Sequence, residues 1–238
     1  VAMFAFLGVL MSQGRLAEAT FVRIAFDTYL RPSEAYRLTA ASLIAPRDGS
    51  KDGYQHWAIL VNDAASSRPG KTGVTDESVI VDDPLLWPLL LALRQKRRPE
   101  AGLWTFSPHQ LRQAFTEALI QLQIADEQTS LYSLRHGGAS DDLLSGGRTR
   151  KEVKDRGRWR TDQSLNRYAK RARMQQRIGQ LAPALVAFGE KVEADFLKLM
   201  DVAARTGIFP LPMPPLMQTT AAAPPKGSPV LTDRWAFV

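Results

Sequence analysis

Apolar residues fill positions 2–11 almost without a break (AMFAFLGVLM), and the next stretch, RLAEATFVRIAFDTYL, keeps its apolar residues at helical spacing. Both predict core helices. The first is too short to span a bilayer, and no basic residue precedes it as a secretory signal would require. In RPSEAYRLTAASLI, Pro32 suits the first turn of a new helix, where its missing N–H costs nothing, so Arg31 falls at a junction between two helices. The period then changes. HWAILV (56–61) and SVIVDD (78–83) are short and rich in β-formers, and NDAASSRPGKTGVTDE between them has loop composition. A β-hairpin with a long basic loop is expected. An apolar helix over 84–98 ends in RQKRR, and SPHQ (107–110) is a capping box that opens a helix to about residue 123.

Between 131 and 170 the pattern breaks into several short helices. Gly146 and Gly147 interrupt the first, TRKE (149–152) is a second capping box, and Gly157 ends that helix. Thr161 or Asp162 caps a last short helix that carries Tyr168. Trp159 and Tyr168 are nine positions apart. On one continuous helix nine residues turn through about 900°, which places the two rings on opposite faces. With a turn between them, both can face one pocket. A long amphipathic helix is predicted over 172–206, and from Gly207 a Pro- and Ala-rich composition predicts a disordered tail. The reading is therefore mainly α with a small antiparallel β-sheet (α+β): one domain over 1–206 and a tail over 207–238.

At 238 residues and 45% hydrophobic the chain is large enough for a real core. It has no cysteine, which excludes disulfides, thiolate catalysis and cysteine-ligated metals. His56, His109 and His136 are scattered, so neither a metal site nor a cofactor is expected. The first residue is not Met, and a fragment of a longer protein is expected. The net charge of +7 is unevenly placed: residues 148–177 hold twelve Arg or Lys and three Asp or Glu, whereas the rest of the chain holds 19 basic and 21 acidic residues. Such a block suits a phosphate backbone or, equally, a solvated helical face. RQKRR at 94–98 reads as a solvated helix end.

Four pieces call for a common explanation: Arg31 with Glu34 in RPSEAYRL, Lys71 in RPGKTG, Arg135 and His136 in YSLRHGG, and Trp159 with Tyr168 in RGRWRTDQSLNRY. In this order and spacing they resemble the tyrosine recombinases, or phage-type integrases, over about residues 1–180. The wording around KTG and GRW is most similar to recombinases of eukaryotic mobile elements such as the DIRS and Crypton groups. The departure is Tyr132, which stands where the family has the first histidine of H-x-x-R.

The resemblance implies the family's DNA breaking-rejoining fold and a site-specific recombination or integration activity. Tyr168 would attack a phosphodiester and form a covalent 3′-phosphotyrosine intermediate, a transesterification that conserves bond energy without a metal. Arg31 and Arg135 would clamp the developing charge, Lys71 would protonate the leaving 5′ oxygen, and Trp159 would pack on the Tyr168 helix and donate to a phosphate oxygen. Tyr132 can donate a hydrogen bond, but a phenol with pKa of about 10 is a poor base. Glu34 and His136 would support these groups. Duplex DNA would lie on the basic face formed by Arg148, Arg150, Lys151, Lys154, Arg156, Arg158, Arg160 and Arg167. The resemblance further implies a homotetramer on DNA, a nuclear location, and an absent N-terminal domain that clamps the other side of the duplex. The 172–206 helix would dock on a neighbouring copy or close its own domain. Two alternatives remain: a recombinase-derived DNA-binding module without catalysis, and a type IB topoisomerase-like relaxing enzyme.

Overall fold

In the computed structural model the apolar run folds as α1 (Ala2–Ser12), whose residues from Ala2 to Met11 are all buried. The structure describes residues 1–47, 55–62, 77–125, 129–166, 168, 175–176 and 179–214. A helix apolar on every side belongs at the centre of a helical layer. α1 accordingly packs against α2 (Leu16–Thr28), α5 (Pro108–Gln121), α9 (Pro183–Ala194) and α10 (Phe196–Thr206). One close approach is at Gly8, where a Cβ would fall 2.6 Å from the Phe188 ring. Among the described residues, no helix is long and apolar enough to cross a membrane.

The predicted hairpin is present as β2 (Trp57–Asn62) and β3 (Glu77–Val81), paired antiparallel with Trp57 opposite Val81 and Ile59 opposite Val79. A two-residue strand that the sequence pattern missed, β1 (Leu43–Ile44), pairs with the other edge of β2 and completes a sheet of order β1-β2-β3. Leu43, Trp57, Ile59, Val79 and Val81 face the core, and Ile44 and Ile80 face outward, as the two-residue period of a half-buried sheet requires. The chain is mainly α with a small antiparallel sheet. The hairpin loop that contains Lys71 lies outside the described residues.

Helix ends follow the local signals. Pro32 opens α3 (Pro32–Tyr36), and the Arg31 N–H donates to Glu34 Oε2 at 2.8 Å. The two predicted capping boxes form at α5 (Ser107 with Gln110) and α7 (Arg150–Arg156; Thr149 with Glu152). The apolar run after β3 starts with a 3₁₀ turn at Pro84–Leu86 and continues as α4 (Trp87–Gln95). α6 (Ser133–Ser145) ends at Gly146 in the left-handed region. α2 also ends left-handed, at Tyr29 with φ 51°.

The single helix expected over 172–206 is corrected. Pro183, which could not sit inside a helix, instead begins α9, and Asp195 (φ −113°, ψ 17°) separates α9 from α10. The break turns Phe196, Leu199, Met200 and Ala203 toward the core. Of the expected tail, residues 207–214 run as irregular chain whose Phe209, Leu211 and Met213 pack on the core; residues 215–238 lie outside the described residues.

Candidate active site

Arg135 lies in the first turn of α6 with 1% of its surface exposed. α6 can bring it this deep because Gly138 lies flush on α2: a Cβ there would sit 1.9 Å from the Phe26 carbonyl oxygen. The guanidinium donates through Nη1 to the Tyr29 carbonyl and through Nη2 to the Gly157 carbonyl. Its Cζ lies 4.8 Å over the Trp159 ring.

Trp159 follows the end of α7, where its N–H reaches back to the Lys154 carbonyl at 3.1 Å and Arg158 takes φ 54°. The last short helix, α8 (Gln163–Asn166), then leads to Tyr168, whose N–H donates to the Leu165 carbonyl at 2.9 Å. This turn brings the two aromatics together, with ring centroids 4.9 Å apart. Tyr168 stacks in turn on His136 at 5.1 Å, and His136 meets Tyr132 edge-on at 4.8 Å. Tyr132 and His136 are one helical turn apart, which sets them on one face. Tyr29 closes the far end of the row at 6.2 Å from Trp159. Tyr132 is 43% exposed and Tyr168 only 5%.

Arg31, at the start of α3, reaches the same place. Its guanidinium pairs with Glu34, and Arg158 Nη2 meets the other Glu34 oxygen. Arg158 Nε lies 3.3 Å from Glu77 Oε2. Burial alone would raise the Glu34 carboxyl, but the charges of Arg158 and Arg31 and the Arg31 N–H hold it below the usual carboxylate range. Burial works against the charge of Arg31 as well, yet Glu34 and the Tyr132 hydroxyl keep its pKa above the ordinary value. Arg135 shows the opposite balance: burial first, and the neighbouring charge of Arg158 second, push it down to about 10.

Three guanidiniums thus face two buried carboxylates. Arg135 Nε and Arg158 Nε and Nη1 are buried without a hydrogen-bond acceptor among the described residues. Leaving buried donors unmade is unfavourable, and Arg31, Arg135 and Arg158 outnumber the Glu34 and Glu77 carboxylates beside them. Chemically, the arrangement sets a phenol beside guanidiniums in excess of their carboxylates, a combination suited to an anion.

The basic segment departs from the expectation that it forms one DNA-facing surface. Arg148 pairs with both oxygens of Asp82 at 2.5 and 2.7 Å and with Asp142 at 2.8 Å. Arg156 meets Asp27 at 2.6 Å and the Ile80 carbonyl at 2.7 Å. Arg158 is held by Glu34 and Glu77, and the Arg156 and Arg158 side chains are only 7% and 8% exposed. These three bind the fold together. Lys154 pairs with Asp162 at 2.8 Å, and Arg150 reaches Asn166 at 3.0 Å. Arg150, Lys151 and Arg160 lie on the surface, and Arg167 lies outside the described residues.

Sequence reasoning missed Tyr29. Its ring closes the aromatic row, its carbonyl receives Arg135, and its hydroxyl donates to Asp142. Burial, then the Asp142 charge, raises its pKa. A tyrosine at the end of an amphipathic helix carries no signal of that role; only its left-handed φ, invisible in the sequence, marks it. No protein-family model matches the chain, and no curated protein matches it.

Proposed function

We propose that this domain breaks and rejoins DNA strands by transesterification, with Tyr168 as nucleophile, in the manner of the tyrosine recombinases that its motifs resemble. The observation that carries the reading is convergence. Arg31, Tyr132, Arg135, His136, Trp159 and Tyr168 lie on four separate segments, and they meet in one aromatic row flanked by guanidiniums with unmatched donors. Core packing alone gives no reason to gather three arginines there, since buried like charges are unfavourable.

In the reaction, the Tyr168 oxygen bonds to phosphorus as the bond to the 5′ oxygen breaks, and the phenolic proton passes to water. The leaving 5′ oxygen takes a proton, for which Lys71 is the candidate donor, and becomes a 5′ hydroxyl. Rejoining reverses these changes with a 5′ hydroxyl from the same or another strand. Arg31 and Arg135 would face the charge that builds on the non-bridging oxygens, and Glu34 holds Arg31 in place.

A second reading has its own support. Tyr168 is nearly buried, and Arg135 already donates to two backbone carbonyls. Together with Tyr132 in the histidine position, this favours a DNA-binding module that has kept the fold without the chemistry. A duplex nicked just beyond the scissile phosphate separates the readings, because cleavage releases a short fragment and cannot reverse. A protein–DNA adduct that survives denaturation and is lost in Tyr168→Phe supports strand transfer. Salt-sensitive DNA binding with no adduct on any duplex supports the module. An adduct with supercoil relaxation and no strand exchange assigns the topoisomerase-like activity.

A further inference from the structure

With Arg148, Arg156 and Arg158 engaged inside the fold, the question is which cations are left to meet a phosphate backbone. Besides Arg150, Lys151 and Arg160 on the surface, the end of α4 offers a separate group. Arg94, Lys96 and Arg98 are exposed and Arg97 is half-buried, and none of the four makes an ion pair with a described residue. Glu100 is the single acid between 94 and 103. One cation in the last turn of a helix is accounted for by the carbonyl end of the helix dipole; four within five residues are not.

This cluster is fixed to the element that bears Arg31. α4 packs on the turn at Ala40–Ser42. Just beyond α4, the Ala41 N–H donates to the Pro99 carbonyl at 2.7 Å, and the Leu103 N–H donates to the Leu38 carbonyl at 3.0 Å. Thr39 and Gly102 are bridged antiparallel. Residues 38–41 and 99–103 therefore run as one paired strip. At its head stands the exposed Arg37, directly after α3, with Arg31 at the other end of that five-residue helix, about 8–9 Å away at 1.5 Å per residue.

We infer that the polyanion surface of this domain runs from Arg31 through Arg37 along this strip to Arg94, Lys96 and Arg98, and that its ligand is the phosphate backbone of duplex DNA. This rests on the proposed function for the choice of ligand, but its position is independent of the chemistry. Exposed cations without an ion pair among the described residues are free to displace the counterions of a phosphate backbone, whereas Arg148, Arg156 and Arg158 are held by carboxylates inside the fold.

The test uses the Tyr168→Phe chain, so that binding is read without cleavage. The affinity for a duplex is measured as a function of salt, alone and with Arg94→Gln, Lys96→Gln and Arg98→Gln combined. The salt slope is expected to fall by about 2.7, at 0.9 per lost phosphate contact. Arg37→Gln alone should lower it by about 0.9. An unchanged slope in the triple variant, with thermal unfolding unaltered, overturns the inference. So does a triple variant that loses binding to phosphatidylserine vesicles while its DNA slope stays put, since the patch then serves a membrane surface. Adduct formation by the wild-type Tyr168 chain is scored separately. An adduct with an unchanged slope removes the patch and leaves the proposed function. A reduced slope with no adduct leaves the patch and removes strand transfer.

Discussion

Glu34 shows how one carboxylate can hold a cluster of like charges together. It is 6% exposed, and it bridges Arg31 and Arg158 within a site that carries a surplus of positive charge. Replacing it by Gln keeps the shape but removes the charge, leaving Arg31 without its counterion and Arg158 with Glu77 alone. Breaking a buried pair in this way costs about 3–5 kcal/mol, which urea unfolding at neutral pH should register. The pH dependence follows from the sign of the shift. Glu34 titrates lower in the folded chain than when unfolded. Its stabilisation is therefore complete above the unfolded value, near 4.5, and is lost as the pH falls through the lowered folded value. Between pH 5 and 3 the wild type should lose stability more steeply than Glu34→Gln. Asp82 is also lowered, by its hydrogen bonds from Arg148 and by the Arg156 charge against the effect of burial, so the variant should keep part of the acid slope. Equal slopes in the two proteins would show that Glu34 is not held ionised by the arginines.

At the scale of elements, the site depends on how closely α6 lies on α2. Gly138 is the point of contact, and the Phe26 carbonyl oxygen occupies the place of a Cβ. Gly138→Ala forces the helices apart, at about 1–3 kcal/mol for overpacking. Since Arg135 rides on the same helix, the shift should also carry its guanidinium away from the Tyr29 and Gly157 carbonyls. The expected outcome is a folded, less stable protein whose adduct yield falls further than its stability does. An adduct yield that tracks only the folded fraction would mean that α6 has no part in placing Arg135. Part of this is legible in the chain: the helix end at Gly157 lets Trp159 and Tyr168 face one pocket. What was not legible is long-range. The partners of Arg148, Arg156 and Arg158 lie at Asp82, Asp27 and Glu34, tens of residues upstream. A local charge sum cannot see them, so the basic segment looked like one surface although Arg148, Arg156 and Arg158 bind the fold together. The strand at Leu43–Ile44 was missed for a similar reason: two residues carry no period, and only the free edge of β2 makes them a strand.

At the scale of the molecule, α9 and α10 decide whether the domain is closed by its own chain. Phe188 and Val192 meet Gly8 of α1, Phe196 packs edge-on to Phe4 at 5.7 Å, and Gly189 lies against the Val1 carbonyl. With Leu185, Leu199 and Met200 these residues belong to the same buried cluster as α1, α2 and the sheet. A helix apolar all round, like α1, loses its cover if they are removed. A protein ending at residue 182 should therefore not behave as a smaller folded domain with an unpaired docking face. It should expose the side of α1 that carries Phe4 and Gly8, bind a hydrophobic dye and aggregate, and the site should fail with it because α1 also packs on α2, which carries Tyr29. Adding residues 183–214 as a separate peptide should restore solubility and the cooperative unfolding transition, as expected when a missing layer is supplied in trans. A truncated protein that stays monomeric and unfolds cooperatively without the peptide would show instead that α9 and α10 are an appendage to the core.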